Sequence, residues 1–313
     1  MEPDYDVLII GSGFGGSVSA LRLTEKGYKV GVLEAGRRFA DHEFAKTSWR
    51  LREFLWAPRL GCYGIQRIHL LRNVMILAGA GVGGGSLNYA NTLYVPPEPF
   101  FNDRQWSHIT DWREELMPHY DQAKRMLGVN EVPADTPPDK YMHELADRMG
   151  VSDTYHRTPV GVWFGKAGQR VEDPYFGGEG PDRVGCTHCG SCMVGCRIGA
   201  KNTLDRNYLY LAERLGVRVH AETEVTDIRP AGAADGSRRR PPTLPTCAPS
   251  WRCPRRRPDA WGAPSTRTAC PIRRRIAAAS MPEDPVGKAV GPISVRARRW
   301  VATAVRASAT SIH

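Results

Sequence analysis

Three glycines and one acid near the start of the chain have a spacing that is typical of nucleotide binding. Gly11, Gly13 and Gly16 follow a short apolar stretch, and Glu34 follows a second one. Glycines at this spacing permit a tight turn and let a pyrophosphate lie on the free N–H groups that open a helix. A carboxylate at Glu34 would accept hydrogen bonds from a ribose diol and repel a 2′-phosphate. The pattern predicts a dinucleotide site.

A strand, a helix and a second strand must position these residues. Residues 7–10 are apolar, as are the residues that follow Lys29 in 29–33, and both stretches predict strands. Residues 17–26 between them have a helical pattern that Gly27 closes. This order is that of a βαβ unit, which brings the two strands together in parallel. Residues 207–215 predict another helix, and residues 217–220 and 224–228 predict two more short strands.

Four cysteines form a second group suited to chemistry. Cys186, Cys189, Cys192 and Cys196 have the spacing C-x2-C-x2-C-x3-C, which matches the thiolates that hold iron–sulfur clusters in bacterial ferredoxins. Paired C-x2-C sequences also hold zinc. The spacing predicts a [4Fe–4S] cluster or a zinc site, with reduced structural thiols or a local disulfide as the alternatives. An iron–sulfur electron-transfer protein is therefore one functional hypothesis.

A second glycine-rich segment covers residues 73–97 and contains no charged residue. Its glycines and asparagines do not suit a hydrocarbon environment, so it predicts a buried loop rather than a membrane span. The consecutive Gly83, Gly84 and Gly85 would place several N–H groups on one concave surface, which suits a phosphate or the edge of a flat heterocycle.

Together these motifs resemble the glucose–methanol–choline (GMC) oxidoreductase family, in particular its bacterial cholesterol oxidase-like branch. The resemblance is carried by Gly11-Ser-Gly-Phe-Gly-Gly, Glu34-Ala-Gly and Gly81-Val-Gly-Gly-Gly-Ser-Leu, and by the segment 106–120, which is similar to a helical segment of the family. It covers residues 4 to about 230. It implies an FAD-dependent enzyme that oxidises the CH–OH group of an alcohol, with a sterol as the leading substrate and oxygen or another electron acceptor.

The resemblance also implies roles for individual residues. The pyrophosphate would be lined by Gly11, Gly13, Phe14, Gly15 and Gly16, and Glu34 would hold the adenosine ribose. Gly84 and Gly85 would approach the diphosphate and the flavin. The backbone of Val225 would contact the adenine. Where the family has Asn or His after the glycine run, this chain has Tyr89, so Asn88 or Asn91 is expected to contact the flavin. The family's catalytic residues lie further downstream and have no recognisable counterpart here, so no catalytic residue is assigned.

The composition changes near residue 237. Residues 238–313 hold 16 Lys and Arg against three acids, together with 11 prolines, whereas residues 1–237 hold 27 basic against 30 acidic residues. The net charge of +10 therefore belongs to the tail, and no nucleic acid is expected as a partner. The tail could be a basic arm, a linker without a partner, or the product of a lost reading frame. The third interpretation is favoured because the family resemblance ends at the same place.

The sequence thus predicts an α/β fold with a Rossmann-type FAD-binding parallel sheet and an inserted helical and loop region. The FAD-binding domain is expected from residues 1–100 and 195–237, the insertion from residues 101–194, and a disordered or frame-shifted tail from residues 238–313. No signal peptide or transmembrane segment is seen, which favours a cytoplasmic location. The chain is expected to be truncated and of little or no activity, and a non-functional product of a disrupted gene is a further hypothesis.

Overall fold

The computed structural model describes residues 4–230 and 293–299. The predicted properties of the tail lie almost entirely outside these residues. Two units are distinguished, Met1–Asp227 with Val295–His313, and Ile228–Ser294. Of the second unit, only the end of one strand and the start of another are described.

The described residues contain both helices and strands. The α-helices are α1 (Phe14–Glu25), α2 (Leu51–Phe54), α3 (Glu98–Phe101), α4 (Trp112–Met126), α5 (Pro137–Met149) and α6 (Tyr208–Arg214). The strands are β1 (Val7–Ile10), β2 (Val30–Leu33), β3 (Trp56–Ala57), β4 (Cys62–Tyr63), β5 (Gln66–Leu70), β6 (Met75–Gly79), β7 (Asn130–Glu131), β8 (Pro159–Val160), β9 (Arg170–Val171), β10 (Arg183–Val184), β11 (Arg218–His220), β12 (Thr223–Pro230) and β13 (Ile293–Arg299). No helix of the described part combines the length and the apolar character that a membrane crossing requires.

A three-stranded parallel sheet in the order β1-β2-β11 carries the predicted βαβ unit. Val7 pairs with Val30 and Val219 pairs with Val32, so the carboxyl ends of the three strands meet at one edge. Strand β2 is buried along its whole length, as expected for a strand between two parallel neighbours. The predicted Rossmann-type sheet is confirmed.

The core lies on β2 and on the two helices that pack together over the sheet. Ala20 and Leu21 of α1 join Leu209 and Ala212 of α6 in one cluster with the valines of β2. All of these side chains are almost fully buried. Burial of this apolar surface is the main favourable term that holds the sheet and both helices together. It thereby fixes the start of α1 near the ends of β1 and β2.

The segment 73–97 differs from the buried loop that its sequence predicts. Its first part is β6, which pairs antiparallel with β5 in a two-stranded hairpin. Leu70 and Met75 are 77% and 59% exposed, and their apolar neighbours on both strands are also exposed. The prediction failed because apolar composition does not decide burial, and no other sheet among residues 4–230 and 293–299 pairs with this hairpin. Within this segment the glycine loop is buried at residues 80–84 and 86–88, whereas residues 90, 92 and 94 are exposed again.

The intervening region consists of α3, α4, α5 and short strand pairs. Helix α4 begins at Trp112 rather than at residue 106, because the carboxylate of Asp111 accepts the N–H groups of Arg113 and Glu114 and caps the helix there. Helix α5 begins after Thr136, which forms a capping box with Asp139, and ends at Gly150. None of the residues of α5 is fully buried.

Candidate functional site

The first glycine loop closes tightly at the end of β1. Gly11 has φ of +91°, a left-handed conformation that favours glycine, and its N–H donates to the Leu33 carbonyl at 2.8 Å. A Cβ on Gly16 would lie 2.0 Å from the Gly11 carbonyl oxygen, so helix and loop touch here without side chains. Gly13 stands at the N-cap of α1, which has neither a side-chain cap nor an acid in its first turn. The opening of this helix therefore presents its N–H groups to whatever lies in front of it.

The second glycine loop lies directly on the first. A Cβ on Gly84 would be 2.6 Å from the Cα of Gly13, and the N–H of Gly83 donates to Ser12 Oγ at 3.1 Å. Ser86, fully buried, donates to the Gly83 carbonyl at 2.7 Å and accepts the N–H of Leu204 at 2.9 Å. The two loops are thus held in contact by backbone approach and by the Ser12 hydroxyl, whereas Ser86 ties the second loop to Leu204.

Glu34 connects both glycine loops at the end of β2. Its Oε2 accepts the N–H of Ser12 at 3.0 Å and the Ser12 hydroxyl at 2.7 Å. Its Oε1 accepts the N–H groups of Gly36 at 2.9 Å and Gly81 at 3.3 Å. A carboxylate offers about four lone-pair sites. The protein's own four hydrogen bonds therefore already engage the carboxylate of Glu34, which is only 7% exposed. Its predicted contact with a ribose stays a prediction.

An open cavity of about 740 Å³ lies in front of the two loops. The predicted site residues on its wall are Gly11, Gly13, Phe14, Glu34, Gly84, Gly85, Asn88 and Val225. Those that do not line it are Gly15, Gly16 and Asn91. The wall also contains residues that were not among the predicted site residues: Gln66, Arg67, Leu77, Tyr89, Met193 and Thr223. Segments from four distant parts of the chain therefore meet around one space.

Comparison with known proteins shows which family has this arrangement. The model of the NAD(P)-binding Rossmann-like domain matches residues 9–43. Over 230 residues the chain is 74% identical to the cholesterol oxidase of Mycobacterium tuberculosis (strain ATCC 25618 / H37Rv), a match that covers 72% of this chain and 40% of that protein. The N-terminal portion of this chain belongs to the GMC oxidoreductase family.

Other similarities are of lower identity. The cholesterol oxidase of Acinetobacter baumannii is 49% identical over 239 residues, which cover 75% of this chain and 43% of that protein. Among solved structures, pyridoxine 4-oxidase from Mesorbium loti is similar with a TM-score of 0.42 and 19% identity over 70% of this chain and 42% of that chain. The chain spans about two fifths of the length of the two cholesterol oxidases that it matches.

The two asparagines that follow the glycine run of this GMC portion occupy different places. Asn88 lines the cavity, and its amide nitrogen donates to Gln66 Oε1 at 2.9 Å. Asn91 has φ of 56° and donates instead to Cys192 Sγ at 3.3 Å, away from the cavity wall. Of the two, only Asn88 is positioned to meet a ligand in the cavity.

The four cysteines of the predicted metal site lie in the segment between β10 and α6. All four are free thiols, and no group of three or more His, Cys, Asp or Glu side chains in residues 4–230 or 293–299 is placed to hold a metal ion. Burial raises the pKa of the Cys186 and Cys192 thiols. Cys189 is exposed. The described residues thus add no support for the predicted cluster or zinc site at Cys186, Cys189, Cys192 and Cys196, and the electron-transfer hypothesis stays a prediction.

The cavity does fit the dinucleotide cofactor that the GMC resemblance implies. A Cβ on Gly13 would meet no atom within 4 Å, so the space in front of this residue is open and is left open by the absence of a side chain. The uncapped start of α1 supplies donors and a favourable dipole for a diphosphate at this point. Glu34 and Val225 lie on the wall of the same cavity.

Proposed function

We propose that this chain binds FAD in the cavity of about 740 Å³ and represents the cofactor-binding portion of an alcohol oxidase that acts on sterols. One observation carries the proposal: the open space before Gly13 lies where the start of α1, the second glycine loop and Glu34 come together. A dinucleotide needs this combination of bare N–H groups and a carboxylate.

The described residues would hold the cofactor in a definite order. Gly11 and Gly13, with the first turn of α1, would bind the diphosphate, and Gly84 and Gly85 would approach it from the second loop. Val225 would lie against the adenine. At the far end of the cavity, Asn88 and Tyr89 would form the wall beside the flavin.

Bound FAD would supply the chemistry by accepting a hydride from the alcohol carbon. The protein's part in the described region is to orient the cofactor and to exclude water from it. The sterol substrate is proposed because the relative at 74% identity is named a cholesterol oxidase. Oxygen is proposed as the electron acceptor.

FAD retention by the full chain tests the binding proposal. Gly13→Val fills the open space, and φ of −71° at this position accommodates a side chain, so the variant should fold and lose FAD. Ser19→Val is the matched control: it adds a valine to an exposed position of the same helix α1 that is not on the cavity wall, so it should retain FAD. Failure of a folded wild-type chain to bind FAD, or equal binding by Gly13→Val, would refute the proposal.

The substrate proposal is tested with the FAD-loaded chain. Cholesterol and a long-chain primary alcohol are added in separate anaerobic experiments, and the absorbance of the oxidised flavin is followed. A chain that reduces its flavin with the sterol alone supports the proposal. Flavin reduction by the primary alcohol alone would refute the sterol proposal and indicate a primary alcohol as the substrate.

A further inference from the structure

Lys201 is buried without a carboxylate partner. Only 1% of the residue is exposed, and within residues 4–230 and 293–299 no acidic side chain lies within ion-pair distance of it. Its ammonium group donates instead to three backbone carbonyls, those of Tyr89 at 2.7 Å, Cys192 at 2.9 Å and Leu87 at 3.2 Å. The three protons of a lysine are therefore all used.

Burying such a charge is unfavourable. Desolvation lowers the pKa of Lys201 to about 8, although the group remains protonated at neutral pH. A neutral side chain of similar length would avoid this cost. The three carbonyls recover part of it, and a further contribution comes from the Tyr89 ring, whose centroid lies 4.5 Å from the ammonium nitrogen.

The carbonyls belong to two separate walls of the cavity. Leu87 and Tyr89 stand on either side of Asn88, which with Tyr89 lines the cavity at the end of the second glycine loop. Cys192 directly precedes Met193, which lines the cavity from the cysteine segment. These walls are about a hundred residues apart in sequence, and Lys201 contacts both.

The backbone around Lys201 is itself fixed. The N–H of Trp163 donates to the Ala200 carbonyl at 2.9 Å, and the N–H of Asn202 donates to the Gly161 carbonyl at 2.9 Å. The ammonium therefore projects from a rigid support into the space between the two walls.

We propose that Lys201 is a positioning residue for the cofactor, which sets the distance between the Asn88–Tyr89 wall and the Met193 wall before FAD binds. The inference rests on the proposed FAD function. Without the lysine, no side chain joins the Asn88–Tyr89 wall to the Met193 wall in this way, and FAD must order both walls when it binds. Ordering even a few side chains on binding weakens affinity by about tenfold.

The experiment compares Lys201→Met with Arg183→Met in the full chain. Arg183 is a matched control because it is also 1% exposed, and donates mainly to carbonyls and to Asn202, none of which line the cavity. Both variants should be less stable than the wild type. At a temperature where all are folded, Lys201→Met should bind FAD about tenfold more weakly, and Arg183→Met should stay within about twofold.

Amide hydrogen exchange without FAD separates positioning from a general loss of stability. In Lys201→Met, residues 87–93 and 189–196 should exchange faster, whereas β1 and β2 should be unchanged. Arg183→Met should leave both segments protected. Lys201→Gln, which keeps a donor at reduced length, should recover part of the affinity.

Equal FAD affinity in wild type and Lys201→Met, or unchanged exchange in both segments, would overturn the proposal. It is also overturned if both Lys201 variants fail to fold while Arg183→Met folds, because the lysine would then act in folding. A folded wild-type chain that binds no FAD refutes the proposed function instead, and the exchange experiment then decides the role of Lys201 by itself.

Discussion

Replacing Glu34 by glutamine tests whether this carboxylate holds the two glycine loops together. The substitution keeps the shape of the side chain but removes its charge and turns one acceptor into an NH2 donor. If the nitrogen replaces Oε1, the N–H groups of Gly36 and Gly81 face a donor. If it replaces Oε2, the N–H of Ser12 faces a donor, while the Ser12 hydroxyl can turn and accept. The second orientation leaves only one N–H group without an acceptor, whereas the first leaves two.

The expected loss follows from the bonds that remain in this second orientation. One buried N–H is left without an acceptor, which costs about 1–3 kcal/mol. The bonds from Gly36 and Gly81 then end on a neutral oxygen, which costs roughly 1 kcal/mol more. The free energy of unfolding should fall by about 3 kcal/mol, equivalent to a decrease in Tm of roughly 6–12 °C for a folded part of this size.

The measurement is thermal unfolding of the full chain without FAD, so that loss of a ribose contact cannot contribute. Glu25→Gln serves as control: Glu25 pairs with Arg22 on the surface of α1, and its loss should change stability by no more than about 0.5 kcal/mol. A Tm for Glu34→Gln within about 2 °C of the wild type would show that the carboxylate does not hold the loops. A fall in FAD affinity alone would assign Glu34 to the ribose.

Three further substitutions probe neighbouring contacts. Gly84→Ala places a Cβ 2.6 Å from the Cα of Gly13 at a φ of 54°, so urea unfolding should show a loss of about 2–4 kcal/mol; an unchanged midpoint would contradict the close approach. Ser86→Ala leaves the N–H of Leu204 without its acceptor and should cost about 1–3 kcal/mol by the same measurement, with an unchanged m value. Asp173→Asn tests a pH dependence. Burial raises the pKa of Asp173, but the hydrogen bonds from four backbone N–H groups lower it by more, so the pKa in the folded state lies below the usual value. Its contribution is present at neutral pH and lost as pH falls through the folded pKa, so the Tm difference from wild type should shrink on acidification below about pH 4; a constant difference would contradict this.

The βαβ unit could be predicted from sequence because its signals are local. Strand β1 has the predicted bounds, β2 begins one residue later than predicted, and α6 is one residue shorter than predicted at each end. Helix α1 begins three residues before its predicted start, because Gly15 and Gly16 lack the periodic pattern although they are helical. Apolar runs and glycines at fixed distances determine such a unit without help from distant segments.

The remaining site depends on contacts between distant segments. Asn88 and Asn91 cannot be told apart by sequence, because the left-handed backbone at Asn91 turns its side chain to Cys192. No sequence signal places Met193 on the cavity wall or Lys201 behind it, because both positions depend on the packing of residues 161–202. The cysteine spacing alone does not establish a metal site, because it describes distance along the chain, whereas a metal requires several side chains to converge on one point.

The hairpin of β5 and β6 has a consequence for the behaviour of the protein in solution. Two strands with apolar side chains on open faces are marginal in water, and their outer edges can accept a strand from another molecule. Concentrated preparations should therefore self-associate through this ribbon, and lysine substitutions at Leu70 or Met75 are the most direct way to keep the chain monodisperse.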